Sequence, residues 1–405
     1  MVETTGHGSR FIAVLSNARF LLLWLAQVTS QTADRVFVYL LMITAYNLTH
    51  SNLGVAVPLL AFGIPSVLFA SLAGVYVDKF DRKGILLVCN IIRGLLVLLI
   101  IPLASKSLFL IFLISILIYT AMQFFAPAET STIPEIVDKK HLIVANSLFM
   151  VTWMVSSVVG FGLGAPLVNL FGDKATYVIS AALYFISAVA ILLIPFKLRE
   201  QLWNKEKPVL DDLRMGFEFI RRNPVVQYAL LKLFIASSAV AVLSLLAISY
   251  AKDVLGIGEH SFGYLILVIG AGMLLGMGLL EKISQHVKKG IIVIGSLIFS
   301  GLVLIGIAYI HELWPALFLI LCLGIGNIFI TSTAQTILQN QIPRQIRGRV
   351  FGVQNMLINS AFTFPVIIFG FVADFFSVPF SLALLGLMVF GMGIIGIFLP
   401  EFKEA

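Results

Sequence analysis

The chain has 405 residues, of which 60% are hydrophobic and only 12% charged, with 27 Lys and Arg against 20 Asp and Glu. Soluble domains are about 45–50% apolar and about 25% charged, so a water-soluble fold of this length could not hide so much apolar surface and lipid must be the solvent. The net charge of +7 is spread through short loops between apolar runs, which points to membrane topology rather than to nucleic acid.

A helix needs about 20 mostly apolar residues to cross about 30 Å of hydrocarbon. Such runs predict spans at 19–46, 52–77, 84–104, 107–127, 142–170 and 174–196, then at 224–251, 261–282, 290–310, 313–338, 349–376 and 378–400. Only Ala104–Ser107 separates the third span from the fourth, and only Ser377 the eleventh from the twelfth, so both pairs can also be divided elsewhere. The runs are long and lack the alternation of a barrel strand, so helices are expected. The expectation is an all-α membrane protein of twelve transmembrane helices in two six-helix bundles, 1–196 and 224–405, related by a pseudo-two-fold axis along the membrane normal.

With the N-terminus inside, Arg10, Arg19, Lys79, Arg82, Lys83, Lys139, Lys140, Lys197, Arg199, Lys205, Lys207, Arg214, Arg221, Arg222, Lys282, Lys288, Lys289, Arg344, Arg347, Arg349 and Lys403 fall on one side. The other keeps only Lys106, Lys174 and Lys252. That bias predicts that both termini are cytoplasmic. Residues 1–18 are polar, so no cleavable leader is expected.

The longest connection, 197–223, lies at the midpoint. Leu210, Leu213, Phe217 and Ile220 recur there at helical spacing opposite Asp211, Arg214, Glu218 and Arg221. This predicts an amphipathic helix on the inner membrane face, with a solvated linker helix as the alternative. A weak repeat supports the division. Asn146 follows Pro134 by twelve residues, Asn355 follows Pro343 by the same number, and the two prolines are 209 positions apart.

Ionisable groups inside a span cost at least about 2.5–3.5 kcal/mol each on insertion scales, so each needs a reason. Asp34 lies about 21 Å along the first span from Phe20, and Arg93 about 15 Å past Lys83. A pair between them is geometrically feasible. Asp34 is the candidate proton-coupling carboxylate, and a fixed salt bridge between the first and third spans is the competing reading. Lys232 is either a ligand or a side chain that snorkels to the inner surface. Glu129 reads as a gate residue at the inner end of the fourth span.

Between the second and third spans, Gly74-Val-Tyr-Val-Asp78-Lys79-Phe80-Asp81-Arg82-Lys83 resembles the signature loop of the major facilitator superfamily. Gly74 permits close helix approach, and Asp78 can sit against a helix N-terminus, whose exposed amides favour an anion. The resemblance implies that Asp78 and Arg82 hold a cytoplasmic gate. Ala33-Asp34, Ala126-Pro127-Ala128, Ile133-Pro134-Glu135, Ala145-Asn146-Ser147-Leu148 and Arg347-Gly348-Arg349-Val350-Phe351 are together similar to the branch holding the macrolide efflux proteins and the enterobactin exporter. That branch implies proton-driven export of drugs or siderophores from a bacterial inner membrane. Lysophospholipid flippases share parts of the pattern.

Gly160, Gly162, Gly164 and Pro166 resemble the glycine-proline signature of drug antiporters, with the proline one place late and the closing glycine pair missing. Ordinary small-residue packing is the alternative. Leu108–Gln123 holds no charge, so the fourth-helix arginine of many drug antiporters is absent. The fold resemblance implies that helices one, four, seven and ten line a cavity. Gln27, Gln31, Tyr119, Gln123, Lys232, Asn327 and Gln335, with Asn355 and Asn359 from the eleventh, are the lining candidates. Amides, hydroxyls and aromatics with few charges suit a bulky amphiphile. No P-loop, metal-ligand cluster or nucleophile constellation is present, so a transporter rather than an enzyme is expected, with no cofactor or metal and a monomeric state.

Overall fold

The computed structural model describes residues 14–103, 107–138, 141–195, 209–343 and 345–398. Among the loop cations, Arg10, Lys106, Lys139, Lys140, Lys197, Arg199, Lys205, Lys207, Arg344 and Lys403 lie outside the described residues. The helices are α1 (Ala18–Thr49), α2 (Asn52–Lys79), α3 (Arg82–Ile100), α4 (Leu108–Ile136), α5 (Leu142–Leu192), α6 (Val209–Arg222), α7 (Pro224–Ser249), α8 (Phe262–Ser284), α9 (Lys289–Tyr309), α10 (Leu313–Gln341), α11 (Arg347–Ser360), α12 (Phe364–Phe375) and α13 (Val378–Ile397).

Among the described residues nine helical stretches are long and apolar enough to cross a bilayer. One of them, α5, holds both the fifth and sixth spans. Gly172 divides it into two limbs with φ 78 and ψ 167, a left-handed geometry open to a residue without Cβ. α1 is not among the nine, because its middle carries Gln27, Thr29, Ser30, Gln31, Asp34 and Arg35. With α1 and α2 the chain is an all-helical membrane protein of twelve spans.

The boundaries differ from the sequence reading where proline is involved. The fourth span does not stop near 127 but runs to Ile136 with Pro127 and Pro134 inside the helix. Lipid-buried helices tolerate such prolines, and hydroxyls on this stretch also bond back along the helix. Ser131 Oγ donates to the Pro127 carbonyl at 2.6 Å and Thr132 Oγ1 to the Ala128 carbonyl at 2.7 Å. The eleventh span breaks into α11 and α12 at the turn before Phe364-Pro365, where proline sits in the first turn of the new helix.

By contacts the chain forms two compact units, Met1–Thr44 with Ile64–Lys205, and Ala45–Gly63 with Glu206–Ala405. The boundary of the second unit therefore takes in the tip of the α1–α2 hairpin. The linker contains α6, whose Phe217 is exposed beside the exposed Arg222–Glu218 pair. The side chains of Leu210, Asp211 and Leu213 lie outside the described residues. Within the second unit α6 rides on the start of α11, where Arg349 Nη1 donates to Met215 Sδ at 3.4 Å.

Candidate functional site

The first unit buries a polar network around Asp34, on α1 about 24 Å from the helix start. Its carboxylate accepts hydrogen bonds from Arg93 Nη1, at 3.1 Å to Oδ1 and 3.4 Å to Oδ2, and from the hydroxyl of Tyr184. Arg93 comes from α3 and is 0% exposed. Its other terminal nitrogen donates to Asn90 Oδ1, one turn earlier on the same helix. Asn90 Nδ2 in turn donates to Ser187 Oγ at 2.7 Å, and Ser187 Oγ to the Ala26 carbonyl at 2.8 Å. Four elements, α1, α3, α4 and the second limb of α5, thus meet at one guanidinium. The rings of Phe125 and Tyr184 lie 4.4 and 4.8 Å from its carbon. Aromatic faces suit a flat, weakly hydrated cation that has been taken out of water.

Two groups here have no hydrogen-bond partner among the described residues: Arg93 Nε, a donor, and Glu129 Oε1, an acceptor. Glu129 stands on α4 one turn beyond Phe125, is 4% exposed, and lies within electrostatic reach of both Arg93 and Asp34. The longer α4 is what brings it in. It is not at a helix end, as the sequence reading had it, but two turns inside one.

The other sequence candidates of the first unit surround this centre. Gln27 Nε2 donates to the Phe149 carbonyl at 3.2 Å, while the side-chain oxygens of Gln27 and Gln31 are unpartnered among the described residues. Tyr119 is buried within electrostatic reach of Asp34 and Arg35, and Gln123 is half-buried. Gly160 and Gly164 face α1: a Cβ at Gly160 would lie 2.4 Å from Arg35 Cβ, and one at Gly164 would lie 2.4 Å from the Tyr39 ring. These glycines therefore seat the first limb of α5, which also carries Pro166, directly against α1. Arg35 turns to that limb, its guanidinium 5.9 Å from the Trp153 ring.

In the signature loop, Asp81 caps α3 by accepting from the Lys83 and Gly84 amides. Arg82 pairs with Glu135 and donates to the Ser131 carbonyl at 3.0 Å, tying the loop to α4. Lys83 Nζ donates to the carbonyls of Leu192 and Ile194 at 2.9 and 2.7 Å, a cation at the C-terminal end of a helix. Gly74 and Asp78 lie in the last turns of α2, and their side chains are outside those described.

The second unit is different. Lys232 of α7 is 0% exposed, and its amine donates to the Met392 carbonyl on α13 at 2.8 Å rather than reaching the surface. Asn327 Nδ2 donates to the Ala236 carbonyl at 3.1 Å, and Gln335 accepts from Gln354 at 2.6 Å. Asn355 is exposed and Asn359 half-buried. The structure joins Asp34 to Arg93, while Tyr184, Asn90, Ser187 and Phe125 carry no sequence signal. They sit in apolar runs as ordinary helix residues.

A sequence profile described as the Major Facilitator Superfamily matches residues 23–365. The multidrug efflux pump Tap of Mycolicibacterium fortuitum is 23% identical over 375 residues, covering 87% of this chain and 89% of its own. The enterobactin exporter EntS of Salmonella typhimurium is 28% identical over 76% of this chain and 74% of its own. Among solved structures, the nucleoside transporter NupG superposes with a TM-score of 0.75 at 14% identity, over 95% of this chain and 98% of that one. A bacterial homologue of the human lysosomal transporter Spinster, inward-facing and unoccupied, gives 0.74 at 14% identity over 98% and 97%.

Proposed function

Since the chain belongs to the Major Facilitator Superfamily, we propose that it exports amphiphilic organic molecules in exchange for protons, and that Asp34 takes up and releases the proton. The observation that carries this reading is the buried set Asp34, Arg93, Tyr184 and Glu129 in one unit. Removing one partner of a buried ion pair costs about 3–5 kcal/mol, because the other charge is left uncompensated. A proton on Asp34 does this to Arg93. Glu129, with its free acceptor oxygen, offers the guanidinium a second position. Proton occupancy and side-chain arrangement are then linked, and a ligand or ion can shift an equilibrium only through such a difference between two states.

Cargo class is supported by the lining chemistry and by the relatives. The amides of Gln27, Gln31, Asn327 and Gln335 and the hydroxyl of Tyr119 suit a bulky, weakly charged ligand. Tap is a multidrug efflux pump and EntS an enterobactin exporter. Drugs are the first reading, and a siderophore or a lysophospholipid the second. The basic loops and the bacterial relatives support a bacterial inner membrane with both termini cytoplasmic. A monomer with small-molecule cargo completes the reading.

The test is proton movement in inverted membrane vesicles, followed with a pH-sensitive dye while macrolides, other drugs, siderophores and lysolipids are added in turn. Alkalinisation of the lumen by one class, lost in Asp34→Asn that still folds, is the expected result. Full activity in that variant would remove Asp34 from the mechanism and leave it a structural pair.

A further inference from the structure

The two ends of α2 stand about 42 Å apart, on opposite faces of the membrane. One end carries Gly74 and Asp78 of the signature loop. The other begins at Asn52, directly after the hairpin residues His50 and Ser51. Its first amides are held by a carboxylate from far along the chain. Asp374 Oδ1 accepts from the Asn52 amide at 2.7 Å and from Asn52 Nδ2 at 3.0 Å, while Oδ2 accepts from the Leu53 amide at 3.0 Å and from the Ser51 hydroxyl. The Asn52 side-chain oxygen accepts from Ser249 Oγ at 2.7 Å, at the point where α7 loosens into a π turn over Tyr250–Val254. An anion at exposed helix amides is favoured by both hydrogen bonding and the helix dipole.

A glycine makes the approach feasible. A Cβ on Gly370, one turn before Asp374, would lie 3.2 Å from Leu53 Cα and 3.4 Å from the Asn52 carbonyl oxygen. Gly370-Phe-Val-Ala-Asp374 therefore has the same spacing as Gly74-Val-Tyr-Val-Asp78, a glycine for close contact and an acid four residues on. A pocket of about 400 Å³ lined by Asn52, Asp253, His311, Asp374 and Ser377 opens beside the carboxylate, so solvent reaches it. By contacts the hairpin tip, Ala45–Gly63, belongs to the second unit, whereas the stems of the same two helices belong to the first.

We propose that Gly370 and Asp374 form a second Gly-x-x-x-Asp latch, on the face opposite the signature loop, which fastens the tip of the α1–α2 hairpin and must be undone for that face to open. The inference rests on the transporter reading, in which a central site is opened to each face in turn, and not on proton coupling. The carboxylate is the whole of the device: it satisfies two main-chain amides that α2 has no residue of its own to satisfy, and it has no competing cation among the groups that hold it.

Pulsed electron–electron resonance tests this without substrate or proton gradient. Spin labels go on His50→Cys in the hairpin and Phe376→Cys beyond α12, both exposed, with Cys89 and Cys322 replaced by Ser. The parent should give one narrow distance. Asp374→Ala should add a longer population, with the ratio of states shifted roughly tenfold, as the loss of a multiply bonded helix cap implies. Asp374→Glu should restore part of the short population. An unchanged distribution in Asp374→Ala, in protein with parental helix content and a single gel-filtration peak, would overturn the latch. Because no transport is measured, that outcome leaves the proton-coupling proposal where it stood, and an inactive Asp34→Asn leaves the latch where it stood.

Discussion

The two units spend polarity differently. The first buries Asp34, Arg82, Arg93 and Glu129 among its helices, whereas the second buries Lys232 as its one charged residue among those described. In the first unit the charges meet one another and two aromatic rings. In the second, the lysine meets a backbone carbonyl, and a small void is lined mainly by apolar side chains such as Ala236, Leu243, Ile269 and Val389, with Ser300 and Asn327 as its polar members. Both units are helical and meet the same lipid, so the difference is not a requirement of folding there. Buried ionic sets are poor sources of stability, since an apolar replacement of similar volume is often neutral or better. The first unit therefore carries groups that answer to something other than packing.

Breaking the first network should have the largest effect. Arg93→Met leaves Asp34 buried with Tyr184 as its remaining partner and should lower stability by about 3–5 kcal/mol, read as a fall in the thermal midpoint in detergent. The double variant Asp34→Asn/Arg93→Met should recover most of that loss. A loss in the double variant equal to the sum of the two single losses would mean that the pair contributes no interaction energy. Next in size, Gly164→Val should cost about 1–3 kcal/mol by the same measurement, because its side chain must enter the Tyr39 ring. If the parental midpoint survives, α5 and α1 are not packed through that glycine. Smallest is the matching change in the second unit. Lys232→Met keeps the volume and removes a single hydrogen bond, so it should alter stability by no more than about 1 kcal/mol and leave transport at the parental rate. A transport defect as deep as that of Asp34→Asn would erase the contrast between the units.

Much of this was legible in the chain itself, for identifiable reasons. Span number follows from long apolar runs, because in lipid a spanning backbone can satisfy its polar groups only within its own helix. Asp34 and Arg93 stood out because a charge inside such a run is rare, and their depths along two helices allowed the pair. Tyr184 and Asn90 did not stand out, since a tyrosine or asparagine in an apolar helix is unremarkable until its neighbours are known. Glu129 was placed at the inner end of a span bounded near 127, whereas the helix carries Pro127 and Pro134 through to Ile136. Asp374 stayed hidden for a further reason. It stands where a span meets the surface, a common place for an acid, and its partners are more than 320 residues away.

Gly172 joins the fifth and sixth spans with a single residue of left-handed backbone. A loop of several residues would let the two limbs swing separately. A one-residue joint keeps them close neighbours, with one limb lying on Tyr39 of α1 and the other holding Tyr184 against Asp34. The two limbs therefore grip α1 at points five residues apart, Tyr39 and Asp34, and a flexible insert at the joint would lengthen the tether between two holds on one short stretch of helix.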